Sequence, residues 1–386
     1  MLRLLASPRA AGVIGCLTLL LIGWSGLLVP SLIRSIERDF GQTDAGIGTY
    51  YLTWAIAYAV GSLGGGVVTE RLGRRRILLG AALAHGLGLG ILAFMPPWGI
   101  ALLSAVPGGL GAGALDGGAN GLILDLFQAA RGRALNTLHL FFSIGALSSP
   151  LVVGLAVGAG VAWQAIVIGT ALAVIPLAVL YGVAPMPHGR HAAAPREIGA
   201  VRATPIAFTW PLLTLELAIA CYVAAEVGVS DWLVRFLDSV PLGTATGALS
   251  LYWAGLALGR LVSARIADRF DHLQFTTIAI TLAGIATFAA VLVPSVGASI
   301  VLFGLVGFAS GPVFPMIVAI AGDRFPERSA AVGGLMTGAS VFGSSLYPPI
   351  MGFMSVNIGL TAAMLGAGVL SLAGAGSLLA ARRPRH

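Results

Sequence analysis

The sequence has no lysine, only two cysteines, and little charge of either sign: Asp, Glu and Arg together make up 10% of its 386 positions. Each shortage excludes something. Soluble domains carry about 25% charged residues, so a water-facing surface around this chain would lack polar cover. Cys16 and Cys221 both fall inside apolar runs, and with no framework or metal spacing they read as small packing residues. No zincin motif, Walker loop or nucleophile elbow occurs, so the common hydrolase and nucleotidase classes drop out. The string Gly109-Leu110-Gly111-Ala112-Gly113 is rich in glycine, but it sits inside an apolar segment and not at a strand-to-helix turn, which argues against dinucleotide binding. Paired catalytic groups cannot be assembled, and the chain does not read as an enzyme.

What the chain has is apolar length. Twelve segments, near 11–33, 45–68, 77–95, 98–127, 134–157, 161–183, 208–237, 243–266, 274–293, 297–322, 330–357 and 359–381, are mostly of the ~20 residues that cross a hydrocarbon core. With lysine absent, all basic charge falls on 22 arginines. Nineteen of them lie in the tails and the even-numbered connections, Arg260 and Arg265 among them, and only Arg34, Arg38 and Arg235 lie in the odd ones. Basic residues stay on the cytoplasmic side, so both termini are expected inside, and the net charge of +7 reads as topogenic and not as a nucleic-acid patch. The first apolar run follows Arg3 and Arg9 with no small-residue cleavage site, which predicts a retained first helix.

The fold class that follows is an all-α membrane protein of twelve transmembrane helices in two six-helix pseudo-repeats. The polar, proline-bounded stretch 185–206 divides an N-terminal bundle, 1–184, from a C-terminal one, 207–386. Glu70-Arg71-Leu72 matches Asp268-Arg269-Phe270 at an offset of 198 residues, and Arg131-Gly132-Arg133-Ala134 matches Glu327-Arg328-Ser329-Ala330 at 196. Near-constant offsets over distant loops indicate duplication, with a natural place for a solute midway across, between the halves.

Within the spans, Asp116 stands midway along the fourth, with Asn120 one turn further on the same face. Folding the next hairpin brings Asp116 level with Gly145, Asn120 level with Phe141, and Asp125 level with Asn136. Gly145 and Ala146 then permit close approach of the fourth and fifth helices. Asp116, Asn120, Asn136 and His139 would form a polar track towards the cytoplasm. One reading makes Asp116 the site of proton or cation coupling; the other makes the group a structural stitch between two helices. Asp125 reads as a structural partner of Arg131 or Arg133. In the seventh span, which also holds Glu216 and Asp231, Tyr222, Glu226 and Ser230 share a stripe. Tyr222, Glu226, Trp24 and Trp253 could present the acceptors and aromatic faces that a hydroxylated solute needs, with ordinary interhelical packing as the alternative for the tryptophans. Trp98, Trp163, Trp210 and Trp232 lie near span ends, as an interfacial belt would. The repeat offsets put Leu28 opposite Glu226 and Pro312 opposite Asp116, so neither acid is duplicated.

Gly66-Val67-Val68-Thr69-Glu70-Arg71-Leu72-Gly73-Arg74-Arg75 resembles the loop signature of the major facilitator superfamily, with Glu70 where Asp is usual, and Ala264–Arg269 resembles its degenerate second copy. The resemblance covers essentially the whole chain. It implies a conformational latch formed by Glu70, Arg71, Gly73 and Arg75, with Asp268 and Arg269 as the second copy. The bland reading of the same arginines is positive-inside charge alone. Leu115–Asn120, Leu135–Ala146 with Pro150, Tyr222–Gly228 and Gly311–Pro315 look like the branch of fucose permeases and sodium-dependent glucose transporters. That resemblance implies cation-coupled uptake, by proton or sodium, of a small polar solute, a monosaccharide, by alternating access. A sodium ion would sit at Asp116 and Asn120; no other metal and no cofactor is expected. The first span departs from the fucose permease pattern in having no acid, which moves coupling onto Asp116 and Glu226. A proton-driven exporter of drugs or metabolites is the alternative, although Ser149–Gly154 lacks the paired glycines of the usual exporter kink. The chain is expected to be a monomer in a bacterial cytoplasmic membrane, with no nucleic-acid partner.

Overall fold

The structure is a computed structural model that describes residues 7–127, 131–185, 209–325 and 329–381. The expected linker 185–206 lies almost wholly outside the described residues. Fourteen helices form twelve long segments: α1 (Pro8–Gly26) and α2 (Leu28–Phe40) as one span, α3 (Asp44–Leu72), α4 (Arg74–Ala93), α5 (Trp98–Leu126), α6 (Arg131–Gly158), α7 (Trp163–Val183), α8 (Trp210–Phe236), α9 (Leu242–Ile266), α10 (His272–Leu292), α11 (Val296–Ser310) and α12 (Val313–Arg324) as one span, α13 (Ser329–Ile358) and α14 (Leu360–Ala380). Among the described residues, nine stretches are long and apolar enough to cross a membrane by themselves. The three others, α3, α9 and α13, have 29, 25 and 30 residues and complete the twelve.

The breaks have local causes. Pro30 stands in the first turn of α2 and cannot bond back to Gly26, and the Leu27 N–H turns to Trp24 O instead. Between α11 and α12, Pro312 and Pro315 remove two N–H groups, so the carbonyls of Phe308 and Gly311 lose their usual partners four residues on.

The chain groups into two compact units. The first comprises Met1–Leu28, Thr53–Ser149 and Ala159–Ala207; the second comprises Val29–Leu52, Pro150–Gly158 and Phe208–His386. The C-terminal ends of the first and fifth spans and the N-terminal end of the second thus belong with the second unit. Two of the changeovers fall where the backbone is weakened, beside the α1–α2 break and at Pro150 inside α6.

Inside the first unit, α5 lies against α3 on a ladder of glycines. A Cβ on Gly109 would collide with Trp54 O, one on Gly113 with Tyr58 O, and one on Gly61 with Leu110 O. Inside the second unit, Gly307 meets Tyr252 O, Gly311 meets Leu256 O, and Gly259 meets Phe308 O. Every residue of the second set stands 198 positions after its counterpart in the first. The duplication is therefore legible as the same three backbone approaches, made in each unit by glycine alone. The offset for the fourth and tenth spans is thus 198, and the position opposite Asp116 is Phe314, not Pro312. Helix α6 behaves differently from expectation. Gly145 approaches Leu20 and Trp24 of α1, and Gly23 approaches Phe142, so the glycine of the fifth span serves contact with the first span and not the fourth. The core of the first unit is mostly aliphatic, with Leu78, Ala82, Leu115 and Leu177 buried around the aromatic Tyr181.

Gly113→Ala puts a Cβ against backbone at Tyr58 and Ser62, the Ser62 nitrogen lying 2.8 Å from it, whereas Gly80 has nothing within 4 Å. Overpacking of this kind costs about 1–3 kcal/mol. Gly113→Ala should lower the thermal midpoint of the detergent-purified protein by several degrees, and Gly80→Ala should leave it unchanged or slightly raised.

Candidate functional site

Two polar groups lie inside the bundles, one in each unit. In the first, the Asp116 carboxylate is half-buried midway along α5. Tyr58 Oη of α3 donates to Asp116 Oδ2 at 2.6 Å, and Asn120 Nδ2 donates to Asp116 Oδ1 at 3.0 Å and to the Asp116 carbonyl at 3.0 Å. Tyr58 is itself stacked on Trp54, with ring centroids 5.0 Å apart. The chemistry is that of a carboxylate with neutral donors on both oxygens. No arginine forms an ion pair with it among the described residues. The sequence placed Asn120 and His139 in this group and missed Tyr58. The partner comes from α3, brought in by the glycine ladder, and a tyrosine in an aromatic-rich span carries no local sign of that role. His139 and Asn136 are exposed.

Asp125 was expected to pair with Arg131 or Arg133. It pairs with Arg74 at the start of α4, Nη2 to Oδ2 2.5 Å, with both side chains largely buried, a structural role; the Arg131 side chain lies outside the described residues. Arg75 donates to the carbonyl of Gly182 at the end of α7. Gly73 adopts φ +82° at the start of α4, a conformation that suits glycine alone and explains its place in the motif. Arg269 is exposed in a short 3-10 turn, Ala267–Arg269. The side chains of Glu70, Arg71 and Asp268 lie outside the described residues.

His85 of α4 escaped the sequence reading. Only 2% exposed, it holds Gly108 O through Nδ1 at 3.0 Å and Ser25 Oγ through Nε2 at 3.0 Å, and so pins the first, third and fourth spans together. A carbonyl can only accept, so the proton sits on Nδ1. Trp24 donates its indole N–H to Thr170 Oγ1 at 2.9 Å, an interhelical tie within the same unit.

In the second unit, Tyr222 is buried and gives its hydroxyl to Ser310 O at 2.9 Å, at the α11–α12 break. Tyr252 donates to Glu226 O at 3.1 Å, and buried Trp253 donates to Ser230 Oγ at 3.0 Å. The polar atoms of Tyr222 and Trp253 are thus committed within the bundle. Beside them stand two half-buried charges, Glu226 and Arg260. Arg260 was counted with the cytoplasmic loops, but it lies inside α9, and its Nε points at Gly311 O at 3.4 Å. Arg265 also lies inside α9, in its last turn.

The three arginines that break the expected charge bias each have carbonyl or carboxylate partners. Arg34 donates to the carbonyls of Val234, Leu237 and Val240, capping the C-terminus of α8, and lies 3.5 Å from Asp238. Arg235 binds Asp44 at 2.8 Å, Glu37 at 2.9 Å and Asp238 at 3.0 Å, and Ser355 also donates to Asp44. Arg38 pairs with Asp39. All the members of the Arg34 and Arg235 network belong to the second unit.

Two units built on the same glycine ladder, with isolated ionisable groups inside a membrane-spanning frame, define a polytopic transporter of the duplicated six-helix type. The Major Facilitator Superfamily model matches residues 13–300 and 239–386, and the chain belongs to that superfamily. It is 26% identical to the gentisate transporter of Corynebacterium glutamicum, over 94% of this chain and 87% of that one. Similarity to sodium-dependent glucose transporter 1A of Mus musculus is 24% and spans 36% of this chain and 32% of that protein. Among solved structures, a bacterial homologue of the human lysosomal transporter Spinster superposes with a TM-score of 0.79 at 15% identity, covering 97% of both chains. The nucleoside transporter NupG superposes with a TM-score of 0.74 at 16% identity, over 98% of this chain and 99% of that one. The structural likenesses bear on the fold.

Breaking a buried ion pair from one side strands the other charge, at a cost of about 3–5 kcal/mol. Arg74→Met and Asp125→Leu should each reduce the yield of folded protein and its thermal midpoint, and the double variant should recover much of the loss. Calorimetric scans of the four proteins check this.

Proposed function

We propose that the chain is a cation-coupled transporter of a small, hydroxyl-bearing solute, working by alternating access, with Asp116 as the coupling residue. One observation carries the reading: a carboxylate stands halfway along a transmembrane helix, held by Tyr58 and Asn120, with no arginine paired to it among the described residues. In an apolar bundle such a group takes up a proton or another cation, or its charge is stabilised by neighbouring donors at a cost of several kcal/mol. Tyr58 and Asn120 hold both carboxylate oxygens through neutral donors, which leaves the charge itself to a mobile cation. Asn120 has spent its N–H on Asp116 and keeps its carbonyl oxygen, so Asp116 and Asn120 together offer oxygens to sodium as readily as the acid alone offers a place to a proton.

The latch reading of Glu70, Arg71, Gly73, Arg75, Asp268 and Arg269 is retained as part of the proposal: these residues bias the cycle and do not touch the solute. For the solute, the sequence branch points to a monosaccharide, supported by a relative that shares about a third of the chain. A relative aligned over nearly the whole chain is named for gentisate, a hydroxylated aromatic acid. Hydroxyl groups are common to both. Import into a bacterial cell across the cytoplasmic membrane is the direction we favour; export of a metabolite on the same frame is the second reading.

The test is uptake into proteoliposomes with proton and sodium gradients imposed separately, against a panel of sugars and hydroxybenzoates. Wild type should accumulate at least one solute with one of the two gradients. Asp116→Asn should abolish accumulation yet retain counterflow exchange. Undiminished accumulation by Asp116→Asn would remove this residue from the coupling role.

A further inference from the structure

The depth of Arg260 follows from the repeat. Its backbone nitrogen would lie 2.7 Å from a Cβ on Gly311, as that of Ser62 would lie 2.8 Å from one on Gly113. Arg260 therefore occupies, in the second unit, the rung that Ser62 occupies in the first, where Ser62 lies beside Gly117, next to Asp116. The duplicated frame carries an acid near this level in one unit and a base in the other. A guanidinium at such depth is costly and demands compensation.

Compensation from the protein is partial. Gly311 O lacks its helical partner because residue 315 is proline, and Arg260 Nε reaches that carbonyl only at 3.4 Å, the long limit of a hydrogen bond. That uses one of five N–H groups. The two terminal nitrogens of Arg260 have no hydrogen-bond partner among the described residues. Glu226 stands one helical turn beyond Tyr222, whose hydroxyl bonds the carbonyl of Ser310, next to the Gly311 carbonyl that Arg260 reaches, yet Glu226 and Arg260 form no ion pair among the described residues. Tyr222 donates to the Ser310 carbonyl and also lies within hydrogen-bond reach of the Glu226 carboxylate, and Tyr252 gives its hydroxyl to the Glu226 carbonyl. Opposite charges held near each other but apart in an apolar bundle are stabilised when a polar molecule fills the gap.

We propose that Arg260 and Glu226 form a two-point binding site for a hydroxylated organic acid, in which the free edge of Arg260 takes the carboxylate and Glu226 accepts a hydroxyl of the same molecule. The inference rests on the transporter reading above and names its substrate class. The planar fork of arginine matches a carboxylate through two parallel bonds, which lysine cannot reproduce. The charge balance also suits cation coupling. Import of an anion against a negative-inside potential costs about 2.3 kcal/mol per charge per 100 mV, and one cation carried with it cancels that cost.

The test is calorimetric binding to the purified full-length protein of 4-hydroxybenzoate, glucuronate, 4-hydroxybenzamide, benzoate and glucose. Wild type should bind at least one hydroxylated acid roughly ten- to a hundredfold more tightly than its neutral counterpart, the loss expected for a missing bond to a charged group. Arg260→Gln should erase that preference, and Arg260→Lys should restore part of it. Glu226→Gln should weaken the hydroxylated acid while leaving benzoate unchanged. Glucose bound as tightly as glucuronate, an Arg260→Gln variant that weakens acid and neutral compounds alike, or no binding of either acid to wild type would overturn the proposal. The wild-type comparison stands even if a variant fails to fold. Failure of the coupling reading looks different: Arg260-dependent acid binding would survive, with no gradient-driven accumulation.

Discussion

A hydrocarbon interior offers a peptide group no water to bond, and every other feature of this molecule is arranged around that constraint. Backbone N–H and C=O groups close on themselves in helices. Lipid is as apolar as leucine, so helix association relies on close contact and hydrogen bonds more than on hydrophobic burial. Glycine supplies the contact, at the same three places in each unit. Several carbonyls at breaks and helix ends receive a side chain, Tyr222 and Arg260 at the α11–α12 break and Arg34 at the end of α8, while His85 ties the Gly108 carbonyl inside α5. The polar residues of the interior are few because each must have a partner, and those without a full set of partners mark where function can reside.

The same constraint explains what the sequence revealed. Spans, arginine bias and duplication are one-dimensional signals, and the twelve segments and the family membership follow from them directly. Asp116 announced itself because a mid-span acid is rare enough to require a reason. Its principal donor, Tyr58, did not, since its role depends on which helix lies across the glycine ladder. Hairpin logic put Gly145 against α5, whereas Gly145 and Gly23 bring α6 to α1, and α6 meets α5 instead where Leu138 packs with Ala119 and Ile123. Sequence adjacency is a poor guide to packing when helices are interleaved. Arg260 was hidden by a true rule applied one turn too far: the positive-inside bias counts residues near a span end, and nothing local distinguishes a guanidinium in solvent from one bent back to a broken helix. Conversely, Arg34 and Arg235, which depart from the expected bias, are held by carbonyls and carboxylates.

Function follows from the difference between the units more than from their likeness. An exact duplicate would bind the same thing twice. Here the first unit keeps an acid dressed with neutral donors, and the second keeps a base that is only partly satisfied, close to a second acid. The acid suits an ion that comes and goes, and the base suits a solute that carries the opposite charge. In the cycle we propose, the two groups are filled together or emptied together, which would tie solute movement to the cation gradient.

That account depends first on Asp116 exchanging a cation. The direct measurement is proton exchange by the purified protein in weakly buffered detergent with a pH-sensitive dye, on addition of sodium and of a solute that binds. Wild type should take up or release a proton on at least one addition, and Asp116→Asn should not. Equal proton exchange by the two proteins would contradict the assignment of coupling to this residue.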